Sequence, residues 1–245
     1  MIDIHCHILA EVDDGPRSWD ISEAMCRVAA ADGIEHIVAT PHGNHRYVYD
    51  RDYLIGALQY LQQRIGETPR FSLGCDFHLS YENLQDVMVH PERYVIGSSQ
   101  YLLLELSNYS IPVHLADSLQ SLMEMGLMPI LTHPERNPIL QRAPEQILQW
   151  VDMGCAVQVT ASALTGGWGE IAWQAAQWLL KRDAVHFLAT DAHDTKRRPP
   201  VLSQARDEVA ELCGDDVARA LVEENPRAVI NGQPLPYFPQ PTMKR

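Results

Sequence analysis

Long apolar runs, a disulfide framework, a glycine-rich phosphate loop and an excess of basic residues are all missing from this chain of 245 residues. No stretch approaches the roughly 18 consecutive apolar residues of a membrane span, and the N-terminus lacks the basic start and apolar run of a secretory signal. The expected setting is therefore the cytoplasm, without membrane insertion. The five cysteines, Cys6, Cys26, Cys75, Cys155 and Cys213, are odd in number, widely spaced and without a CxxC pair. That fits reduced thiols and argues against a disulfide framework or a zinc knuckle. Cys6 follows a histidine, as in phosphatases with an HCx5R nucleophile loop, but Val12 stands where the arginine would be. With 19 Lys and Arg against 32 Asp and Glu, the net charge is −13, a field that repels polyanions and disfavours nucleic acid as a partner.

What is present is ordinary globular composition, 46% hydrophobic and 21% charged, at a length that one large domain over 1–245 can fill. Short β-rich runs recur near 2–5, 36–42, 70–78, 101–107, 128–133, 156–162 and 185–193, and stretches of helical period such as "SEAMCRVAAADG", "LADSLQSLMEMG" and "PEQILQWVDMG" separate them. Strand and helix in alternation imply parallel strands with helical crossovers. The first strand lacks the loop that a dinucleotide fold needs, so the expectation is a distorted TIM-like (β/α)7 barrel. The residues from 195 to 245 read as one or two helices and a Pro-rich tail covering it.

Residues of metal-ligand type stand where the apolar runs stop: His5 and His7, His42, Asp76, Glu105, His133, and Asp191 with His193. Successive ones are about one βα unit apart, and in a barrel the C-terminal strand ends meet on one face, where such enzymes work. Two side chains at i and i+2 on a strand point to one side, so His5 with His7, and Asp191 with His193, can each share an ion. Nitrogen and oxygen ligands without thiolate suit Mn, Fe or Zn. His36, His90, His114 and His186 read as packing or surface residues, and Cys6 and Cys75 as small core residues on the opposite face.

Taken in order, "IDIHCH", "TPH", "LTHPER" and "ATDAH" resemble the strand-end motifs of the PHP (polymerase and histidinol phosphatase) superfamily. "MIDIHCHILAEVDDGP", "LELS", "THPERN", "MGCAVQV", "ATDAHDTKRRPP" and "NPRAVING" resemble its bacterial capsule and exopolysaccharide branch, metal-dependent protein-tyrosine phosphatases that oppose bacterial tyrosine kinases. The resemblance implies two to three divalent ions, with Mn expected and Fe or Zn as alternatives. It assigns His5, His7 and Asp191 to one ion, Glu105 and His133 to a second, and Asp14, His42 and His193 to a third. Asp76 stands where the family's bridging residue is a glutamate, one methylene longer, and His78 is placed to compensate. Asp13 reads as a solvated neighbour of Asp14.

The same resemblance implies that Arg136 and Arg198 stabilise the phosphoryl group, with Arg46 a further candidate and Arg197 a surface ion pair. The implied reaction is attack on phosphorus by a metal-bridging hydroxide, with His42 or Asp14 as an optional acid. The implied substrate is a phosphotyrosine protein, the tail of a bacterial tyrosine kinase, and an oligomer is compatible with the sequence. Small-molecule phosphatase activity of the histidinol-phosphate type and a non-catalytic, metal-binding kinase partner are the alternatives. The Trp-bearing segment "TGGWGEIAW" after the sixth run reads as a loop facing substrate.

Overall fold

A computed structural model describes residues 1–241; positions 242–245 of the expected tail lie outside the described residues. In chain order the strands are β1 (Ile2–Cys6), β2 (His36–Ala39), β3 (His42–Gly43), β4 (Arg70–Leu73), β5 (Asp76–His78), β6 (Tyr101–Glu105), β7 (Met128–Thr132), β8 (Ala156–Thr160) and β9 (Phe187–Ala189). The helices between and after them are α1 (Trp19–Ala31), α2 (Arg51–Ile65), α3 (Tyr81–Val89), α4 (Leu115–Glu124), α5 (Glu145–Asp152), α6 (Ala161–Leu164), α7 (Gly169–Leu180), α8 (Ser203–Cys213), α9 (Asp215–Arg219) and α10 (Asn225–Ile230). Helix starts follow local chemistry: Ser18, Asp50 and Ser80 each accept a backbone N–H of the first turn of α1, α2 and α3, removing one unmatched donor apiece.

All strand pairs are parallel, as the alternation implies, and run β1–β2–β4 in one sheet and β3–β5–β6–β7–β8–β9 in the other. Nine strands replace the expected seven because the second and third runs are interrupted before their catalytic-type residues. Pro41 has no N–H for a ladder, and Gly74 sits against Ile96, Val38 and Thr40 where a side chain would crowd them. The halves still connect: Asp76 N–H donates to Pro41 O (3.1 Å) and Gly74 N–H to Ala39 O (2.8 Å). The first and last runs meet as well, through Asp191 N–H to His5 O (2.8 Å) and His7 N–H to Ala192 O (2.9 Å).

The barrel interior is filled below the site by Ile2, Ile4, Val38, Tyr101, Leu103, Ile130, Ala156, Phe187 and Ala189, with Val229 of α10 packed among them. The C-terminal segment thus closes the floor. Tyr101 Oη donates to Gln233 O (2.6 Å), and Asn225 Nδ2 donates to His186 O (2.9 Å) and Tyr237 O (2.7 Å).

His186 is part of this floor. It is fully buried, its Nδ1 accepts the Val157 N–H (3.1 Å), and its ring lies 4.3 Å from that of Phe238. Burial pushes its pKa down to about 3, whereas the unfolded chain protonates near 6.5. Stability from the neutral ring is therefore complete above about 6.5 and lost as pH falls, at about 1.4 kcal/mol per pH unit until the folded pKa is reached. Denaturant midpoints of wild type and His186→Gln from pH 7 to 5 are expected to diverge in slope, the variant being flatter. Parallel curves would contradict this account.

Candidate metal centre

Register carries the ligand-type residues to one place. His42 of β3 is the direct Cα partner of Asp76 of β5, and His78 that of Glu105 of β6. A bulge in β1 between Asp3 and Cys6 re-aims consecutive residues, so Ile4 packs in the floor while His5 turns to Gln158 inside the barrel. His133 and Asp191 hold the left-handed backbone region, φ 37° and 50°, just past β7 and β9. Non-glycine residues there cost energy and persist where the surrounding structure demands them, commonly at functional sites.

Four overlapping groups result, with ligand atoms within 4.8 Å of one another: His5, His133 and Asp191; His5, His7 and Asp76; His42, Asp76 and Glu105; and His7, Asp14, His42 and His193. All nine expected residues are in the cluster, and the last group contains the implied third set. The implied partners of the other two sets also meet, His5 and His7 on Asp191 Oδ1 at 3.5 and 3.4 Å and His133 Nε2 4.0 Å from Glu105 Oε1, while the overlap also puts His133 beside His5 and Asp191, and Glu105 beside His42 and Asp76. Asp76 belongs to two groups, so the shorter carboxylate reaches a central position. His78 is in none of the four; its Nδ1 lies 3.2 Å from Glu105 Oε2.

The polar atoms facing the cluster approach one another, His42 Nδ1 lying 3.0 Å from Asp76 Oδ2, without forming hydrogen bonds. His5 Nε2, His7 Nε2, His42 Nδ1 and both Asp76 carboxylate oxygens are buried and make no hydrogen bond. Orphaned buried groups of this kind cost about 1–3 kcal/mol each unless something absent from the protein atoms satisfies them. Spacings are those of co-ligands: His7 Nε2 to Asp191 Oδ1 is 3.4 Å, His5 Nε2 to Asp191 Oδ1 3.5 Å, and His193 Nε2 to Asp14 Oδ1 3.2 Å. Two donors each about 2.1 Å from one ion sit roughly 3–3.5 Å apart, so the donor set fits divalent cations. Burial opposes charge on His7 and His42, yet the carboxylates of Asp13 beside the first and of Asp14 and Asp76 beside the second hold their pKa values up to about 9 and 11.

The far sides of the His7 and His5 imidazoles are held in turn. Asp13, expected to be solvated, is instead buried: its Oδ2 lies 2.6 Å from His7 Nδ1 and accepts the His42 N–H (3.1 Å). The loop can bring it there because Gly15 passes so close to β1 that a Cβ would stand 2.7 Å from His7 O. Gln158 Oε1 is the matching partner of His5 Nδ1 (3.0 Å). These residues set which ring nitrogen faces the cluster, a role sequence reasoning missed; a lone amide inside the apolar run "AVQVT" was the available signal. Partners of this kind are worth 10–100-fold in metal affinity, so Asp13→Asn is expected to weaken Mn(II) binding by about that factor in calorimetric titration. Unchanged affinity would refute the assignment.

Arg136 and Arg198 converge on Asp191 Oδ2, leaving Oδ1 for the histidines. Arg136 Nη1 is buried and unpartnered. Both guanidiniums also lie over the indole of Trp168, with Cζ at 4.1 and 5.3 Å from its centroid. Arg197 makes no ion pair among the described residues, contrary to expectation; Asp194 instead caps the backbone N–H groups of Lys196 and Arg197, presenting Arg197 at a cleft of about 350 Å³ with Trp168, Arg198, Asp14 and His193. Arg46 is exposed and lies over Tyr47, 5.0 Å from its ring centroid, and that ring in turn stacks on His42.

The sequence profile of the family "Capsular polysaccharide synthesis, CpsB/CapC" matches residues 1–231. The chain belongs to that family. Tyrosine-protein phosphatase CpsB of Streptococcus pneumoniae is 28% identical over 243 residues, covering 95% of this chain and 99% of the relative. CapC of Staphylococcus aureus is 31% identical over 238 residues, covering 95% and 90%. A chain from the crystal structures of YwqE from Bacillus subtilis and CpsB from Streptococcus pneumoniae, described as unique metal-dependent tyrosine phosphatases, superposes on this CpsB/CapC family member with a TM-score of 0.91 at 28% identity, covering 100% of this chain and 100% of that one. The phosphotriesterase homology protein of Escherichia coli, at 10% identity and a TM-score of 0.60, shares the fold alone.

Proposed function

We propose that this family member is a metal-dependent protein-tyrosine phosphatase. The observation that carries the reading is the set of buried, unpartnered nitrogen and oxygen donors beside two converging arginines, one with a free buried N–H. His5, His7, Asp14, His42, Asp76, Glu105, His133, Asp191 and His193 would hold two to three divalent ions, manganese first among them. Such ions lower the pKa of bound water towards neutrality and offset charge on the phosphoryl oxygens.

The chain's own residues do the rest. Asp191 fixes the two guanidiniums through one oxygen, and the donors they keep free, Arg136 Nη1 among them, point charge-assisted hydrogen bonds at a phosphoryl group. A tyrosine leaving group has a pKa near ~10, so it needs less acid help than an alkyl alcohol. With only two ions held by the other residues, His42 and Asp14, 3.4 Å apart on the open side of the cluster, would be free to hold a proton where one is supplied. Tails of autophosphorylated bacterial tyrosine kinases in the cytoplasm are the proposed substrates. No helix among the described residues is long and apolar enough to cross a membrane, and all five cysteines are free.

Chelator-treated protein is expected to lose phosphate release from a phosphotyrosine peptide and to regain it with added Mn(II). Faster turnover of histidinol phosphate than of the peptide would favour a small-molecule phosphatase. Inactivity towards p-nitrophenyl phosphate with Mn(II) present would favour a non-catalytic metal-binding partner.

A further inference from the structure

The cleft beside the cluster has a feature that hydrolysis of a phosphate ester as such does not require. Its wall, after β8, is a turn of three glycines around one tryptophan, residues 166–169. Gly166 and Gly169 take φ of +83° and +80°, and Gly167 donates its N–H to Ser162 O at 2.7 Å, an approach that a Cβ would obstruct. The turn thereby brings Trp168 back over α6, where its Nε1–H donates to Ser162 Oγ (3.0 Å). The indole is anchored at its polar end and loaded by the Arg136 guanidinium, yet residue Trp168 is 39% exposed and lines the cleft together with Asp14, His193 and Arg198. A large apolar surface is thus fixed beside the two arginines instead of being folded into the core.

We propose that Trp168 is the specificity-determining residue for the organic group of the ester, selecting an aryl over an alkyl phosphate. The proposal rests on the phosphatase reading for where phosphorus sits. A phosphoryl group paired with a guanidinium places phosphorus about 4 Å from Cζ, and the ring of an aryl ester begins one oxygen further on. Since both guanidiniums touch the indole, that ring falls within reach of its exposed part, in edge-to-face or offset contact. An alkyl group offers neither the area nor the quadrupole.

Non-hydrolysable probes test this without turnover. Mn(II)-loaded protein is titrated calorimetrically with benzylphosphonate and with ethylphosphonate, in which a methylene takes the place of the ester oxygen, for wild type, Trp168→Ala and Trp168→Phe. Wild type is expected to prefer the benzyl compound by about tenfold, the upper range of an aromatic pair. Trp168→Ala should reduce the preference to within about twofold, and Trp168→Phe should retain most of it. A wild type without aryl preference, a Trp168→Ala protein that keeps it, or an equal loss of affinity for both phosphonates in Trp168→Ala would overturn the proposal. The last outcome would mean that the indole only steadies the arginines. A wild type that shows the preference but releases no phosphate from a phosphotyrosine peptide would support the role of Trp168 and overturn the catalytic reading instead.

Discussion

Asp191→Ala is expected to reduce phosphate release by on the order of a thousandfold or more, the scale set by losing both electrostatic stabilisation and metal-assisted activation of water. One oxygen of Asp191 faces His5, His7 and His193 at 3.4–3.7 Å, and the other pairs with both arginines. On the proposed reading, truncation removes a ligand and frees the guanidiniums in the same step. Breaking a buried ion pair by removing one partner costs about 3–5 kcal/mol, and the effect here should lie below that range because the Arg198 side chain is 26% exposed. Backbone strain separates the two roles. Since Asp191 has φ 50°, Asp191→Gly should be more stable than Asp191→Ala by about 1 kcal/mol while remaining as inactive. Elemental analysis, denaturant midpoints and phosphate release on the same samples decide it. An Asp191→Ala protein with full metal content and activity would remove the centre of the mechanism.

Arg136→Ala should lower kcat/KM for a phosphotyrosine peptide by about 10²–10³, the range for loss of one transition-state donor, with metal content unchanged. Arg136→Lys is expected to recover little of this. The guanidinium pairs with Asp191, lies over Trp168 and still keeps Nη1 unpartnered. An ammonium is a point charge that cannot meet a carboxylate, a ring face and a phosphoryl oxygen in one plane. Near wild-type activity in Arg136→Lys would reduce the role of this residue to simple charge.

The barrel was legible because its signals are local. Alternating apolar runs and helical periods state strand and helix independently of what they later touch, and the right-handed βαβ connection leaves few ways to assemble them. Ligand types at strand ends were legible for the same reason, since the C-terminal ends of barrel strands share one face. Partnerships across the barrel were not. Asp13 looks like any acidic loop residue until Gly15 lets the loop settle on His7, and Gln158 looks like an irregular strand position until the β1 bulge turns His5 towards it.

The tetrapeptide HPER shows where local information ends, because the chain contains it twice. At 90–93 it follows α3, with His90 half-buried and Arg93 paired to Asp86; at 133–136 it follows β7, with His133 in the cluster and Arg136 on Asp191. Both copies form the same short 3-10 turn after the histidine. The sequence by itself determined the alternation of elements, the net negative charge and the inventory of residues of metal-ligand type, since these depend on residue type and spacing along the chain. Only the tertiary structure decided which carboxylate faces which imidazole, and that Trp168 stands over its arginines. Those relations depend on strand register, a bulge and close glycine contacts, which bring together residues that the chain itself keeps far apart.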